Sequence, residues 1–232
     1  MIGELDIKQA NQRIRKSRER KHILKELEFS TIEYLCPRIP KWITPDKLTI
    51  IGLIGSLMVA VSMILSVSNP YFLGLAVVGF SIQWFGDSLD GRIAYYRNIP
   101  RKWYGWALDI NADWISISLI GLGFYFYLPS YKFLAFIFVL AYGGSMIITL
   151  LRYKVSNEYI IDTGILGPTE MRILICIVLV AEFFIPNSLL TFISIGSIIL
   201  ITMNIYESVN IIREGDMRDI KEKRAKKMGI VL

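Results

Sequence analysis

The sequence predicts an all-α integral membrane protein, six transmembrane helices preceded by a cytoplasmic amphipathic juxtamembrane helix, and three observations carry that expectation. Hydrophobic residues make up 53% of the 232-residue chain and its mean hydropathy is +0.47. A water-soluble domain rarely shows such a balance, because it must cover its core with polar side chains. Several apolar stretches approach or reach the roughly 20 residues that a helix needs to cross a bilayer. Lys and Arg are also distributed unevenly among the connections, as they are in membrane proteins of fixed topology.

The elements follow in order. Residues 1–47 are strongly charged, and the start is too polar for a secretory signal peptide. Within them Ile23, Leu24, Leu27, Ile32, Leu35 and Cys36 approximate one helical face, broken by Pro37 and Pro40. A helix of this kind lies in the headgroup layer or packs on the rest of the protein. Hydropathy then places spans near 48–67, 71–88, 107–128, 131–151, 171–186 and 188–208, the fifth short and bounded by Pro186. Residues 209–232 form a charged tail, helical from Arg213 to Lys227, ending in the apolar GIVL. The three regions are thus a cytoplasmic segment (1–47), a six-helix transmembrane domain (48–208) and a cytoplasmic tail (209–232). Apart from Lys132, every Lys and Arg falls at the two ends or around the second and fourth connections. The positive-inside rule therefore puts both termini in the cytoplasm, as six spans require.

Several chemistries are disfavoured. Cys36 and Cys176 stand far apart with no CxxC or Cys/His spacing, which argues against a disulfide framework or a zinc site. His22 is the single histidine, so carboxylates are the candidates for acid/base work. The net charge of +6 sits beside apolar segments and no nucleic-acid motif accompanies it, so anionic lipid is the expected partner.

The decisive stretch is GDSLDGRIAYYRNIPRKWYGWALDINAD, Gly86 to Asp113. Asp87 and Asp90 are three apart and Asp109 and Asp113 four apart, so each pair projects from one face of its helix. Two antiparallel neighbours can bring all four carboxylates around one small volume at the cytoplasmic boundary. Four such groups cannot all stay ionised in a partly dehydrated place without cations. Hard oxygen ligands suit Mg²⁺ or Mn²⁺, and four of them suit a two-metal site for phosphoryl-type transfer. Gly91 and Gly105, bracketing the acids, permit close approach of a ligand or a helix.

The stretch resembles the CDP-alcohol phosphotransferases, whose pattern is D-x-x-D-G-x-x-A-R, about eight residues, then G-x-x-x-D-x-x-x-D. The matching positions are Asp87, Asp90, Gly91, Ala94, Gly105, Asp109 and Asp113. Tyr95 stands where the pattern has Arg, and the spacer before Gly105 is one residue longer. The resemblance implies that Asp87, Asp90 and Asp109 bind two divalent ions holding a CDP pyrophosphate. It implies that Asp113 ligates metal and serves as general base on the acceptor hydroxyl, and that Gly91 sits against the nucleotide. Asp46 and Thr49, in the segment before the first span, look like the family's element beneath the cytidine. Arg97 or Arg92 is the candidate to reach the pyrophosphate in place of the missing Arg. A homodimer is also implied.

The expected reaction is attack by an alcohol hydroxyl on the β-phosphorus of a CDP-lipid, with CMP leaving. Arg152, Lys154 and Arg172 could form a cationic pocket for an anionic acceptor. Gly167, Glu170 and Arg172 loosely match a run in the branch that uses inositol phosphate. The alternatives are CDP-choline or CDP-ethanolamine headgroup transfer to a lipid and, in another class, a cation or proton transporter. Transport would favour mid-membrane acids; Glu182, near the outer end of its span, reads more simply as hydrogen-bonded to a neighbour.

Overall fold

The computed structural model describes residues 24–156 and 167–228. Regular structure there is wholly helical: α1 (Lys25–Leu35), a 3-10 turn (Cys36–Arg38), α2 (Pro45–Ser66), α3 (Phe72–Tyr96), α4 (Lys102–Tyr127), α5 (Lys132–Ser156), α6 (Pro168–Phe184) and α7 (Ser188–Lys227). His22, Ile23, most of the α5–α6 connection and the final GIVL lie outside the described residues.

Local chemistry sets the helix ends. Thr44 caps α2, its Oγ1 accepting from the Lys47 amide at 3.3 Å, with Pro45 at the first helical position. Asn98 closes α3 in the left-handed region (φ 59), and the Ile99 amide reaches back to the Ala94 carbonyl at 2.9 Å. Pro186 confines Ile185 to extended backbone and ends α6. Glu182 then serves the next helix: its carboxylate accepts from the Asn187 and Leu189 amides at 3.1 and 2.7 Å and from the Tyr127 hydroxyl at 3.0 Å. This is the hydrogen-bonded role expected of it.

Among the described residues five helices, α2 to α5 and α7, are long and apolar enough to cross a membrane. That is one fewer than the six expected. Helix α6 has 17 residues, about 25 Å at a rise of about 1.5 Å per residue, against a hydrocarbon core of about 30 Å. Its two prolines fix that length. The boundary expected at residue 208 falls inside α7, which runs unbroken for 40 residues.

The tightest crossing joins α2 to α3. A Cβ added to Gly55 would lie 2.5 Å from the Gln83 amide nitrogen, and one added to Gly79 would lie 3.0 Å from the Gly55 carbonyl oxygen. One at Gly86 would run into the backbone of Gly52. Glycine thus lets two backbones touch where no side chain fits. Gly143 and Gly144 on α5 act likewise, admitting the Trp114 ring and the Asn204 amide. An apolar core built on Val59, Met63, Phe80, Phe124, Leu179 and Ile193 fills the bundle.

A second cluster, near the acidic end, seats α1: Phe29, Ile32 and Cys36 pack on Leu48, Leu89 and Ile93. Much of the apolar face expected to meet lipid is therefore turned inward, while Leu27 and Tyr34 stay exposed. Burial pushes the Cys36 thiol up to about 11. Elsewhere Ile50, Ile54, Ile195, Ile198 and Ile205 face outward, more than half exposed. Helices with this surface fit a membrane protein.

Candidate active site

Two helices present the acids. The C-terminal half of α3 carries Asp87 and Asp90; after the turn at Asn98, the first half of α4 carries Asp109 and Asp113. The glycine crossing holds α2 against the same part of α3, so that a Cβ on Gly52 would stand 3.2 Å from the Asp87 amide.

Oxygens of Asp87, Asp109 and Asp113 lie within 4.8 Å of one another, all three side chains partly buried. Oxygens sharing one Mg²⁺ at about 2.1 Å stand roughly 3–4 Å apart. The three carboxylates therefore fit a hard divalent ion with little movement. Asp90 is not in this set of three. One turn along α3, its Oδ2 accepts from the Thr49 hydroxyl at 2.6 Å and its Oδ1 from the Gly91 amide at 2.5 Å. Thr49 thus reaches the acids from α2, on the side where a nucleotide element was expected.

Gly91 and Gly105 turn out not to be packing positions. Apart from the chain neighbours and the helix's own backbone, no heavy atom of the described residues lies within 4 Å of a Cβ built on either. The space beside them is open, which suits approach of a ligand better than approach of a helix.

The basic residues have different partners. Arg172, on the first turns of α6, donates to Asp87 Oδ2 at 2.5 Å and so belongs with the acids. Arg152 forms an ion pair with Glu207 on α7. Lys154 is exposed, and its carbonyl accepts from Arg218 at 3.1 Å. Arg97 donates to the carbonyls of Ile43, Pro40 and Ile39 at 2.6, 3.0 and 3.1 Å, tying down the connection before α2. Arg92 is buried with its guanidinium 5.0 Å above the Phe29 ring. Asp46 is ion-paired with Arg101, whose guanidinium also stacks on Tyr104 at 4.0 Å.

A buried polar tie escaped sequence reasoning. Thr169 donates to Glu28 Oε2 at 2.8 Å and accepts from Trp84 Nε1 at 3.3 Å. Glu170 accepts from the Leu24 amide at 2.7 Å and the Gly167 amide at 3.1 Å. Helix α1 is thereby fastened to the start of α6, one turn from Arg172. A signal existed: Glu28 sits beside Phe29 and one turn before Ile32, an acid on an inward-facing stripe, and a buried acid needs a partner.

A search of curated proteins returned no match. The family model for CDP-alcohol phosphatidyltransferase matches residues 42–210, the stretch that holds all four acids, helices α2 to α6 and the first part of α7. Spanning well over half of the chain, that match shows that the protein belongs to the CDP-alcohol phosphatidyltransferases, membrane transferases of substituted phosphate groups that act on CDP-alcohols.

Proposed function

We propose that the protein transfers a phosphatidyl-type group from a CDP-lipid to the hydroxyl of a small acceptor, releasing CMP. The observation that carries the reading is the meeting of Asp87, Asp109 and Asp113 oxygens within 4.8 Å beside the open faces of Gly91 and Gly105. Asp87, Asp90, Asp109 and Asp113 would hold two Mg²⁺ or Mn²⁺ ions, which gather pyrophosphate oxygens and offset the charge that develops on them. Thr49 orients Asp90, and open space beside Gly91 leaves room for the nucleotide. Asp113 takes the proton of the acceptor hydroxyl as that oxygen bonds to the β-phosphorus and the bond to CMP breaks.

On the same reading α6 crosses the membrane as a sixth span, its shortness made up by local thinning or by neighbours. Both termini and the acids then face the cytoplasm, α1 lies at that surface, and two copies form a dimer. The acceptor is a small alcohol, with inositol phosphate the first to offer because Arg172 supplies a planar cation at the site.

The test is CMP release by purified protein in detergent with Mg²⁺ and CDP-diacylglycerol. Inositol phosphate, glycerol phosphate, serine and inositol are offered singly. Release with one of them, abolished by EDTA, supports the proposal and names the product. Silence with all four, but turnover of CDP-choline or CDP-ethanolamine with diacylglycerol, would reverse the donor.

A further inference from the structure

The three-acid set already holds a cation of its own. Arg172 Nη2 stands 2.5 Å from Asp87 Oδ2, and the two side chains are only 15% and 23% exposed. The guanidinium comes from a different element than the acids, and its helix is anchored. Thr169, three residues earlier, is fixed by Glu28 and Trp84, and Glu170 is fixed by the Leu24 amide. Arginine does not lose its charge at any accessible pH, so this cation can leave Asp87 only by moving.

We propose that Arg172 is a built-in counter-cation that competes with the divalent ion for Asp87, so that loading the site and releasing the guanidinium are one event. The inference rests on the metal-dependent reading above and adds a coupling to it. A divalent ion that takes both Asp87 oxygens must displace Arg172; one that takes Oδ1 alone must sit close to a positive charge. Either way the guanidinium weakens metal binding in the absence of substrate. Once released, its planar fork of donors calls for an oxyanion with two oxygens to accept from it, and a substrate phosphate has that chemistry. Site loading and anion capture then favour each other, as linkage requires of any such pair.

The experiment is titration of the purified full-length protein with Mn²⁺ alone, without nucleotide, followed by calorimetry and by the electron-spin signal of free Mn²⁺. Arg172→Gln should bind Mn²⁺ at least about fivefold more tightly than the wild type, the low end of typical coupling between linked sites. Arg172→Lys, which keeps the charge, should stay near the wild type. In an Asp87→Asn background the Arg172→Gln effect should vanish. Arg172→Met, which keeps the buried stem, serves if the glutamine variant does not fold. Unchanged or weaker binding in folded Arg172→Gln or Arg172→Met protein overturns the latch, and so does Arg172→Lys matching Arg172→Gln. Mn²⁺ binding that survives unchanged in both the Asp109→Asn and the Asp113→Asn variants would instead overturn the metal reading on which the latch stands.

Discussion

The two flanks of the acid site are positioned by opposite means. On the α2 side, Gly52, Gly55, Gly79 and Gly86 bring backbone onto backbone, with only the Val59 side chain beside Gly79 able to adjust. On the α6 side, buried side chains do the holding: Thr169 between Glu28 and Trp84, Glu170 on the Leu24 amide, and Arg172 on Asp87. A backbone contact is rigid because separating it costs dispersion over the whole crossing. A hydrogen-bonded contact can be opened one bond at a time. The rigid flank carries Thr49 and Asp90; the flank that can open carries Arg172, the cation that has to move. That division matches what each flank is asked to do.

The comparison can be broken at several strengths. The largest effect belongs to the acids that both flanks serve. Asp113→Asn should lower CMP release by about 10²–10⁴-fold, the range for losing a general base, with thermal stability kept. If turnover survives, Asp113 is not the base. Next comes the rigid flank. Gly55→Leu should cost about 3 kcal/mol in detergent unfolding, because overpacking at a backbone contact has nowhere to relax. Gly91→Ala, with open space around it, should leave the midpoint unchanged and affect only substrate kinetics. Equal destabilisation by the two substitutions would erase the distinction between packed and open glycines.

The polar flank should yield less. Thr169→Val removes the donor to the buried Glu28 carboxylate, a loss of about 1–3 kcal/mol. Thr169→Ser should restore both stability and turnover by supplying the hydroxyl again. A serine variant as impaired as the valine one would mean that packing of the methyl group, rather than the hydrogen bond, matters there. The smallest effect probes whether α1 stays seated. The Cys36 thiol is held up at about 11 by burial, so it stays protonated at neutral pH. Its alkylation should be slow there and rise about tenfold per pH unit toward that value, since only the thiolate reacts. Fast labelling at pH 7 would show that α1 lifts from α2 and α3.

The acids were legible because their spacing is local. Three or four residues along a helix decide which side chains share a face, and that needs no knowledge of the fold. Gly91 and Gly105 were legible as positions of close approach by a ligand or a helix, but not which of these they serve: both face open space, while Gly86, which the sequence did not mark, meets the backbone of α2. The partners of the cations were not legible for a related reason. Arg152 and Arg172 each carry a partner that the sequence did not name, Glu207 on α7 for Arg152 and Asp87 on α3 for Arg172. Arg97, placed near the pyrophosphate by its nearness to the motif, is spent on three backbone carbonyls. Each of these partners lies dozens of residues away, and one sequence carries no record of who meets whom.

The left-handed residue at Asn98 turns the chain at once after α3, and the acids of α3 and α4 are thereafter set by the crossing of two helices. The link between them is one residue longer than the family pattern, yet Asp87, Asp109 and Asp113 still meet. Loop length and site geometry are therefore separate variables in this fold. The extra residue between the turn and the start of α4 is absorbed without parting the acids, although Arg101 in that stretch is tied to Asp46.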